Sequence, residues 1–299
     1  MLTRIISGAV GAAILAFVLY FHNSMLLPVA VSFMIAVMLF ELIRAVKLEK
    51  IIPILLSAEF AGISLPFLVY FKEKGILLLD FSESGLQGDP EFVYRSITGL
   101  YQIYYFAIIL ISAFIIFVTW LRNHKKVRYE QLFLVLAVMI LVPQAMSTMI
   151  RIERMDDKNG LFLLVIALCG AWIADTGAYF TGVAIGKHKL CPEISPKKTI
   201  EGFIGGVLTT ALVYMLAFSL YFGFTPIRAI IAFITGAFCA LVGAIGDLSA
   251  SMVKRQIGFK DYGKIMPGHG GLMDRFDSVL FVLPTFYLFI AFFGIHMYL

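Results

Sequence analysis

The residues best suited to chemistry lie in one polar stretch near the end of the chain, from Ser251 to Asp277. It combines cations, carboxylates and a His-Gly-Gly run, namely Lys254, Arg255, Lys260, Lys264 and Arg275, then Asp261, Asp274 and Asp277, then His269, Gly270 and Gly271. Lys and Arg neutralise phosphate oxygens, carboxylates hold Mg²⁺, and glycines let backbone N–H groups approach an anion. A loop that only sets membrane topology accounts for the cations but not for the His-Gly-Gly run or the paired aspartates. The stretch therefore predicts polyphosphate chemistry.

Three aspartates stand where apolar runs meet polar ones: Asp175, Asp247 and Asp274. An ionisable side chain at the edge of a membrane helix is costly and usually functional, so we expect the three to converge on a metal site. The alternative is that each caps a helix or pairs with a nearby Lys or Arg. Asp277 shares a helix face with Asp274 by its i,i+3 spacing. Asp277 is predicted either to be a further metal ligand or only to hold Arg275 or a loop amide, and whether Asp175 or Asp277 completes the metal shell stays open.

A second polar cluster precedes the seventh apolar run, in the sequence Ser195-Pro-Lys197-Lys198-Thr199. Its hydroxyl and ammonium groups suit a phosphate clamp, although lysines that only fix topology are the alternative. The chain has no GxxxxGK[ST] motif, so this is not a P-loop. His269 is predicted either to hydrogen-bond a phosphate or to serve a structural role.

The composition places these clusters in a membrane protein. Hydrophobic residues make up 61% of the chain and charged residues 14%, with a mean hydropathy of +0.93, whereas a soluble domain has about 25% charged residues. We predict an all-α, polytopic helical bundle with about nine transmembrane helices. The predicted spans are Ile5–Phe21, Met25–Ile43, Ile51–Phe71, Leu100–Leu121, Gln131–Ile150, Leu161–Val183, Phe203–Phe222, Arg228–Gly246 and Ser278–Met297. The net charge of +5 then reflects basic loops rather than nucleic-acid binding.

The Lys and Arg residues predict the orientation. With the N-terminus and the even-numbered loops on one side, that side holds 17 of the 24 basic residues. The positive-inside rule makes it cytoplasmic, together with the loops 186–202 and 247–277. We expect residues 1–160 to form a scaffold of about five spans, which would carry dimerisation and a lipid groove. Residues 161–299 would form the catalytic region, with the eighth helix ending near Asp247.

The polar stretch also resembles a known signature. The pattern S-x-V-K-R-x4-K-D-x-G-x3-P-x-H-G-G-x2-D-R-x-D over Ser251–Asp277 is similar to that of phosphatidate cytidylyltransferases, also called CDP-diacylglycerol synthases. The region around Asp175 and the SPKKTIEG loop are similar to the same family. The resemblance covers the chain from about Leu161 onward. Met266, before Pro267, departs mildly from the family pattern but stays apolar.

This resemblance implies a bacterial inner-membrane enzyme that converts CTP and phosphatidic acid to CDP-diacylglycerol and pyrophosphate. It implies Mg²⁺ held by Asp247 and Asp274, potassium as a candidate second cation, and a homodimer. Lys198 and Arg275 are expected to act with these aspartates in catalysis. The residues expected to bind substrate are Ser195, Lys197, Lys198, Thr199, Lys254, Arg255, Lys260, Lys264, His269, Gly270, Gly271 and Arg275. Two alternatives stay open: a related enzyme acting on another lipid phosphate, such as an archaeal CDP-archaeol synthase, and an ion-coupled transporter, which predicts ionisable residues near mid-span.

Overall fold

The structure is a computed structural model that describes residues 2–74, 90–268 and 270–298. Side chains are described for residues 6–74, 98–268 and 270–294. The prediction for His269 therefore lies outside the described residues.

Within these residues the chain forms nine long helices, one short helix and one β-hairpin. The helices are α1 (Leu2–Tyr20), α2 (Leu26–Ala45), α3 (Ile52–Glu73), α4 (Pro90–Arg122), α5 (Tyr129–Arg154), α6 (Gly160–Ile185), α7 (Ile200–Phe222), α8 (Pro226–Gln256), the short α9 (Met273–Phe276) and α10 (Val279–Tyr298). The hairpin pairs β1 (Lys189–Cys191) with β2 (Ser195–Thr199) in antiparallel fashion.

The predicted fold class is confirmed, because each predicted span corresponds to one long helix. In the described part of the chain, eight helical stretches are long and apolar enough to cross a membrane, and α1 adds a shorter apolar stretch, Ile6–Tyr20. The protein is a polytopic, all-α membrane protein, since long apolar helices bond their own backbone polar groups and can therefore lie in lipid. The hairpin was not predicted.

One predicted boundary is wrong. Helix α8 does not end near Asp247 but continues through Gln256, so Lys254 and Arg255 lie in its last turn. The predicted end of the sixth span, Val183, is within two residues of the end of α6 at Ile185, and Asp175 lies inside this helix rather than at its end. The predicted span was ended where the side chains become polar. A helix can continue beyond that point, because its backbone hydrogen bonds do not require apolar side chains.

The chain packs as two units. The first comprises Met1–Asp157 and Ile265–Met273, and its core is formed where α3 packs against α2, α4 and α5. Ile43, Ile54, Ile116 and Val135 are fully buried in that core. A segment from late in the chain thus belongs to the same unit as the first helices.

The second unit comprises Lys158–Lys264 and Asp274–Leu299, with α7 packed between α6 and α8, and α10 against α8. Glycines allow α6 and α7 to approach closely: a Cβ on Gly202 would lie 2.7 Å from the carbonyl oxygen of Ala178, and one on Gly206 would lie 2.6 Å from that of Ala174. Such contacts are typical of helix pairs in membranes. They set α6 and α7 at a fixed distance beneath the hairpin that joins them.

Candidate active site

The second unit brings a lysine of the hairpin to an aspartate of α8. Lys198 lies on β2, and its ammonium group donates to Oδ2 of Asp247. Both side chains are half-buried. The pair joins the two polar clusters that the sequence indicated separately, since Lys198 comes from the SPKKT segment and Asp247 from the helix before the long polar stretch.

A second lysine, Lys254, lies between two carboxylates. Its Nζ is 2.8 Å from Oδ1 of Asp274 and 3.8 Å from Oδ2 of Asp277. The three side chains are at most 10% exposed. Buried charges persist only when they are paired and hydrogen-bonded, so these groups depend on one another. The sequence analysis predicted that Lys254 binds substrate; in this structure it neutralises two predicted metal ligands.

Tyr262 completes the surroundings of Asp274. Its backbone N–H donates to Oδ2 of Asp274 at 2.8 Å, and its hydroxyl donates to the carbonyl of Ala250 at 3.1 Å. The ammonium group of Lys254 lies 5.3 Å from the centre of the Tyr262 ring. Burial, together with the nearby carboxylates of Asp274 and Asp277, raises the pKa of the Tyr262 phenol. The phenol therefore stays neutral and acts as a fixed hydrogen-bond donor.

Asp175 on α6 lies within electrostatic range of this cluster. Its carboxylate is repelled by Asp247 and attracted by Lys198 and Arg275, and Asp277 is repelled by both Asp247 and Asp175. Within the described residues Asp175 makes no hydrogen bond or ion pair, whereas Asp277 accepts from its neighbour Ser278 N at 2.8 Å. Four acidic and three basic side chains thus lie near one another.

These carboxylates do not form a closed metal site in this arrangement. Among the residues that the structure describes, no three Asp, Glu, His or Cys side chains are gathered closely enough to hold an ion. Lysine ammonium groups stand beside Asp247, Asp274 and Asp277 instead. The donor set itself consists of hard carboxylate oxygens, which is the ligand chemistry that Mg²⁺ requires.

The hairpin is held against the start of α7 by Glu201. The carboxylate of Glu201 accepts from the backbone N–H of Lys187 at 3.1 Å and from that of His188 at 3.2 Å. The His188 ring nitrogen Nδ1 lies 2.6 Å from the same carboxylate. Thr199 caps α7 by accepting from Gly202 N at 3.1 Å. These bonds fix the residues just before β1 and the Thr199 end of β2, the strand that carries Lys198.

Several predicted binding residues lie elsewhere. The side chains of Lys260 and Lys264 are exposed and make no hydrogen bond or ion pair within the described chain. Arg255 is exposed and donates to the carbonyl of Phe259 at 3.5 Å. Ser195 is half-buried at the start of β2, and the hydroxyl of Thr199 serves as the helix cap described above.

Gly270 and Gly271 belong to the first unit, where the sequence analysis missed a partner, Glu41. Glu41 on α2 is only 1% exposed, and it accepts from the backbone N–H groups of Leu272 at 3.1 Å and Met273 at 2.8 Å. A Cβ on Gly271 would collide with the Glu41 carboxylate, which explains the glycine there. The sequence feature that could have indicated this role is the position of Glu41 as a single acidic residue within the apolar run of α2.

Comparison with known proteins agrees with this combination of fold and side chains. Residues 90–293 match the sequence profile of the cytidylyltransferase family. A phosphatidate cytidylyltransferase of Bacillus subtilis (strain 168) is 33% identical over 297 residues, which are 98% of this chain and 99% of that protein.

Staphylococcal relatives match more strongly over a shorter region. The phosphatidate cytidylyltransferase of Staphylococcus aureus (strain COL) is 49% identical over 127 residues, which are 42% of this chain and 48% of that protein. That of Staphylococcus saprophyticus is 45% identical over a match of the same length. Since the profile covers more than half of the chain and the Bacillus protein aligns along nearly all of it, the chain belongs to the cytidylyltransferase family.

Proposed function

We propose that this protein is a phosphatidate cytidylyltransferase. A phosphate oxygen of phosphatidic acid attacks the α-phosphorus of CTP, the bond between the α-phosphorus and the bridging oxygen breaks, and pyrophosphate leaves. CDP-diacylglycerol remains in the membrane. The observation that carries the proposal is the cluster of Lys198, Lys254, Asp247 and Asp274 in the second unit, in a chain of this family.

The reaction needs charge neutralisation more than acid–base chemistry. A phosphate monoester has a second pKa of about 6, so the lipid phosphate is mostly a dianion at neutral pH and needs no strong base to attack. The obstacle is the repulsion between two polyanions, which positioned cations remove. Lys197, Lys198 and Arg275 supply this charge without a covalent nucleophile.

The carboxylates are proposed to hold the cations. Asp247 and Asp274 would hold Mg²⁺, with Asp175 or Asp277 as a further ligand and potassium as the second cation. When bound, Mg²⁺ would neutralise charge on the phosphate oxygens. The ammonium groups of Lys198 and Lys254 pair with Asp247 and Asp274 in this structure, and a cation held by these aspartates would leave the two lysines to neutralise phosphate oxygens.

We further propose that the protein works as a homodimer in a bacterial plasma membrane. Its N-terminus, the hairpin and the 247–277 region would face the cytoplasm, where CTP is dissolved. The positive-inside distribution of Lys and Arg supports this orientation, and the bacterial relatives support the location.

The first test is an assay on the purified protein in detergent. We expect pyrophosphate release only when CTP, phosphatidic acid and Mg²⁺ are all present, and complete loss of release with EDTA, because the phosphates remain unneutralised without the ion. Restoration by excess Mg²⁺ is the control for damage by the chelator. Release without any lipid, or equal release with EDTA, would contradict the proposal. Activity confined to ether-lipid phosphates would favour the CDP-archaeol alternative.

A second expected result concerns the hairpin. Glu201→Gln loses the charge that holds Lys187 and His188, so Lys198 is positioned less precisely. Since small displacements of positioning groups are costly in rate, we expect kcat/KM for CTP to fall about tenfold or more. Amide hydrogen exchange should rise at residues 187–199. Glu193→Gln, at an exposed position in the same hairpin, is the matched control and should change neither quantity. Unchanged exchange in Glu201→Gln would contradict the anchoring role.

A further inference from the structure

The segment Ile265–Met273, which we name the inserted segment, belongs to the first unit, whereas the chain on both sides of it belongs to the second. Its last residue, Met273, is also the first residue of the short helix α9, and Asp274 and Arg275 follow directly. Whatever fixes the end of the inserted segment therefore also fixes the backbone from which the Asp274 side chain starts.

Glu41 on α2 fixes that end. A helix of four residues, such as α9, is not stable by itself, because nucleation costs more than its few hydrogen bonds contribute. The N–H groups at its start need partners from outside the helix. Oε1 of Glu41 accepts from Leu272 N at 3.1 Å, and Oε2 accepts from Met273 N at 2.8 Å. Each carboxylate oxygen thus holds one peptide group at the entrance to α9.

This contact depends on both the charge and the length of Glu41. The residue is 1% exposed, and a buried charge persists only where hydrogen bonds replace its hydration. An amide in this place would keep one acceptor oxygen but turn an NH₂ donor towards the second N–H group. A Cβ on Gly271 would lie 2.4 Å from Oε1, so the inserted segment passes the carboxylate without spare room.

The rest of the inserted segment is tied to the same unit. The hydroxyl of Ser7 on α1 donates to the carbonyl of Pro267 at 3.0 Å, and Met266 N donates to the carbonyl of Gly270 at 2.9 Å. The segment is thus closed on itself and bonded to α1 and α2, and Glu41 holds the end that leads into α9.

We propose that Glu41 is a positioning residue, which fixes the backbone of Leu272 and Met273 so that Asp274 and Arg275 take the places that the reaction requires. This inference rests on the proposed function, and it adds a residue of α2, from the part of the chain that was expected to form a scaffold. Glu41 acts through the peptide bond between Met273 and Asp274 rather than by contact with substrate.

Glu41→Gln tests the role of the charge, because it keeps the size of the side chain. We expect kcat at saturating CTP and phosphatidic acid, measured per folded protein and well below the Tm, to fall at least about tenfold, since small displacements of positioned groups are costly in rate. Glu59→Gln is the matched control. It neutralises another acidic residue of the first unit, on α3, whose Oε2 has no hydrogen-bond partner in the described chain, and it should keep wild-type turnover.

Hydrogen exchange separates positioning from general support of the fold. Tyr262 N donates to Oδ2 of Asp274 at 2.8 Å, so exchange of the Tyr262 amide reports on the place of Asp274. This amide should exchange faster in Glu41→Gln. The amide of Gly202, which is bonded to Thr199 in the same unit as Tyr262, is the internal reference and should exchange as in wild type. The measurement needs no turnover, so a wild-type protein that releases no pyrophosphate would count against the proposed function alone.

A change of size tests the same contact from the other side. Gly271→Ala should lower kcat at least about tenfold, because its methyl group meets the Glu41 carboxylate. Glu41→Asp withdraws the carboxylate by about 1.5 Å, one carbon–carbon bond, and makes room for that methyl group. The double variant should therefore be at least about threefold more active than the two single losses multiplied together. Glu41→Asp also replaces Glu41→Gln in the exchange experiment if the latter does not fold.

Unchanged exchange of the Tyr262 amide in a folded Glu41→Gln protein would overturn the inference, because Asp274 would then keep its place without the Glu41 charge. Wild-type kcat in that protein would overturn it as well and would confine Glu41 to the packing of the first unit. An equal loss of kcat in Glu59→Gln would show that neutralising any acidic residue of this unit is harmful, which also removes the specific role of Glu41.

Discussion

Asp247→Asn and Asp274→Asn should each reduce kcat by at least about 10²–10³-fold while leaving the protein folded. Asparagine keeps the shape of aspartate but not the charge that would hold a cation, and the loss of one such electrostatic group typically costs this much in rate. Folding of Asp274→Asn should survive because the amide oxygen of the new side chain can still accept from Tyr262 N. Pyrophosphate release at saturating CTP and lipid measures the effect, and the Tm checks the fold.

Asp261→Asn is the matched control for these two variants. Asp261 lies in the same polar stretch, is exposed, and makes no ion pair within the described residues. It should retain near wild-type turnover. Normal turnover in Asp247→Asn or in Asp274→Asn would remove that residue from the proposed cation site, and a large loss in Asp261→Asn would show that any charge lost from the stretch is harmful.

Lys254→Met should affect both stability and activity. It removes the ammonium group that pairs with the buried carboxylates of Asp274 and Asp277, and breaking a buried pair in this way costs about 3–5 kcal/mol. We expect a markedly lower Tm and loss of turnover. Arg255→Met, one residue further along α8, changes an exposed cation and should alter stability by no more than about 0.5 kcal/mol.

The effect of Mg²⁺ on the Tm of Lys254→Met distinguishes a cation site from a purely structural ion pair. With Lys254 removed, a divalent cation can replace its positive charge beside Asp274 and Asp277, so millimolar Mg²⁺ should raise the Tm of Lys254→Met more than that of wild type. If the Tm of Lys254→Met does not respond to Mg²⁺, then Asp274 and Asp277 are the counter-ions of a structural lysine and not a cation site.

The helices were predictable from the sequence because long apolar runs have few alternatives in a membrane. Their ends were less predictable, as α8 shows: the apolar run stops near Gly246, yet the helix continues through charged residues to Gln256. The hairpin was missed because its strands are only three and five residues long, and Ser195–Thr199 carries two lysines and a proline rather than alternating apolar residues.

The residues of the site could be predicted from the sequence, but the contacts between them could not. The sequence indicated Lys198, Asp247, Lys254 and Asp274 as functional, and the roles assigned to them remain predictions. The alternative that the aspartates pair with a Lys or Arg was stated, but not which lysine lies against which aspartate, because contacts between residues 49 and 20 positions apart depend on how the helices pack. Glu41 was missed for the same reason, since its partners are Leu272 and Met273.

The position of Glu41 also has a consequence for the order in which the chain is made. Its carboxylate is buried in the first unit, and its backbone partners belong to Ile265–Met273, which ribosomes synthesise more than two hundred residues later. At about 5–20 residues per second, at least about ten seconds pass between the synthesis of α2 and that of these two partners. The first unit therefore cannot complete its packing around Glu41 until Leu272 and Met273 have been made, late in synthesis.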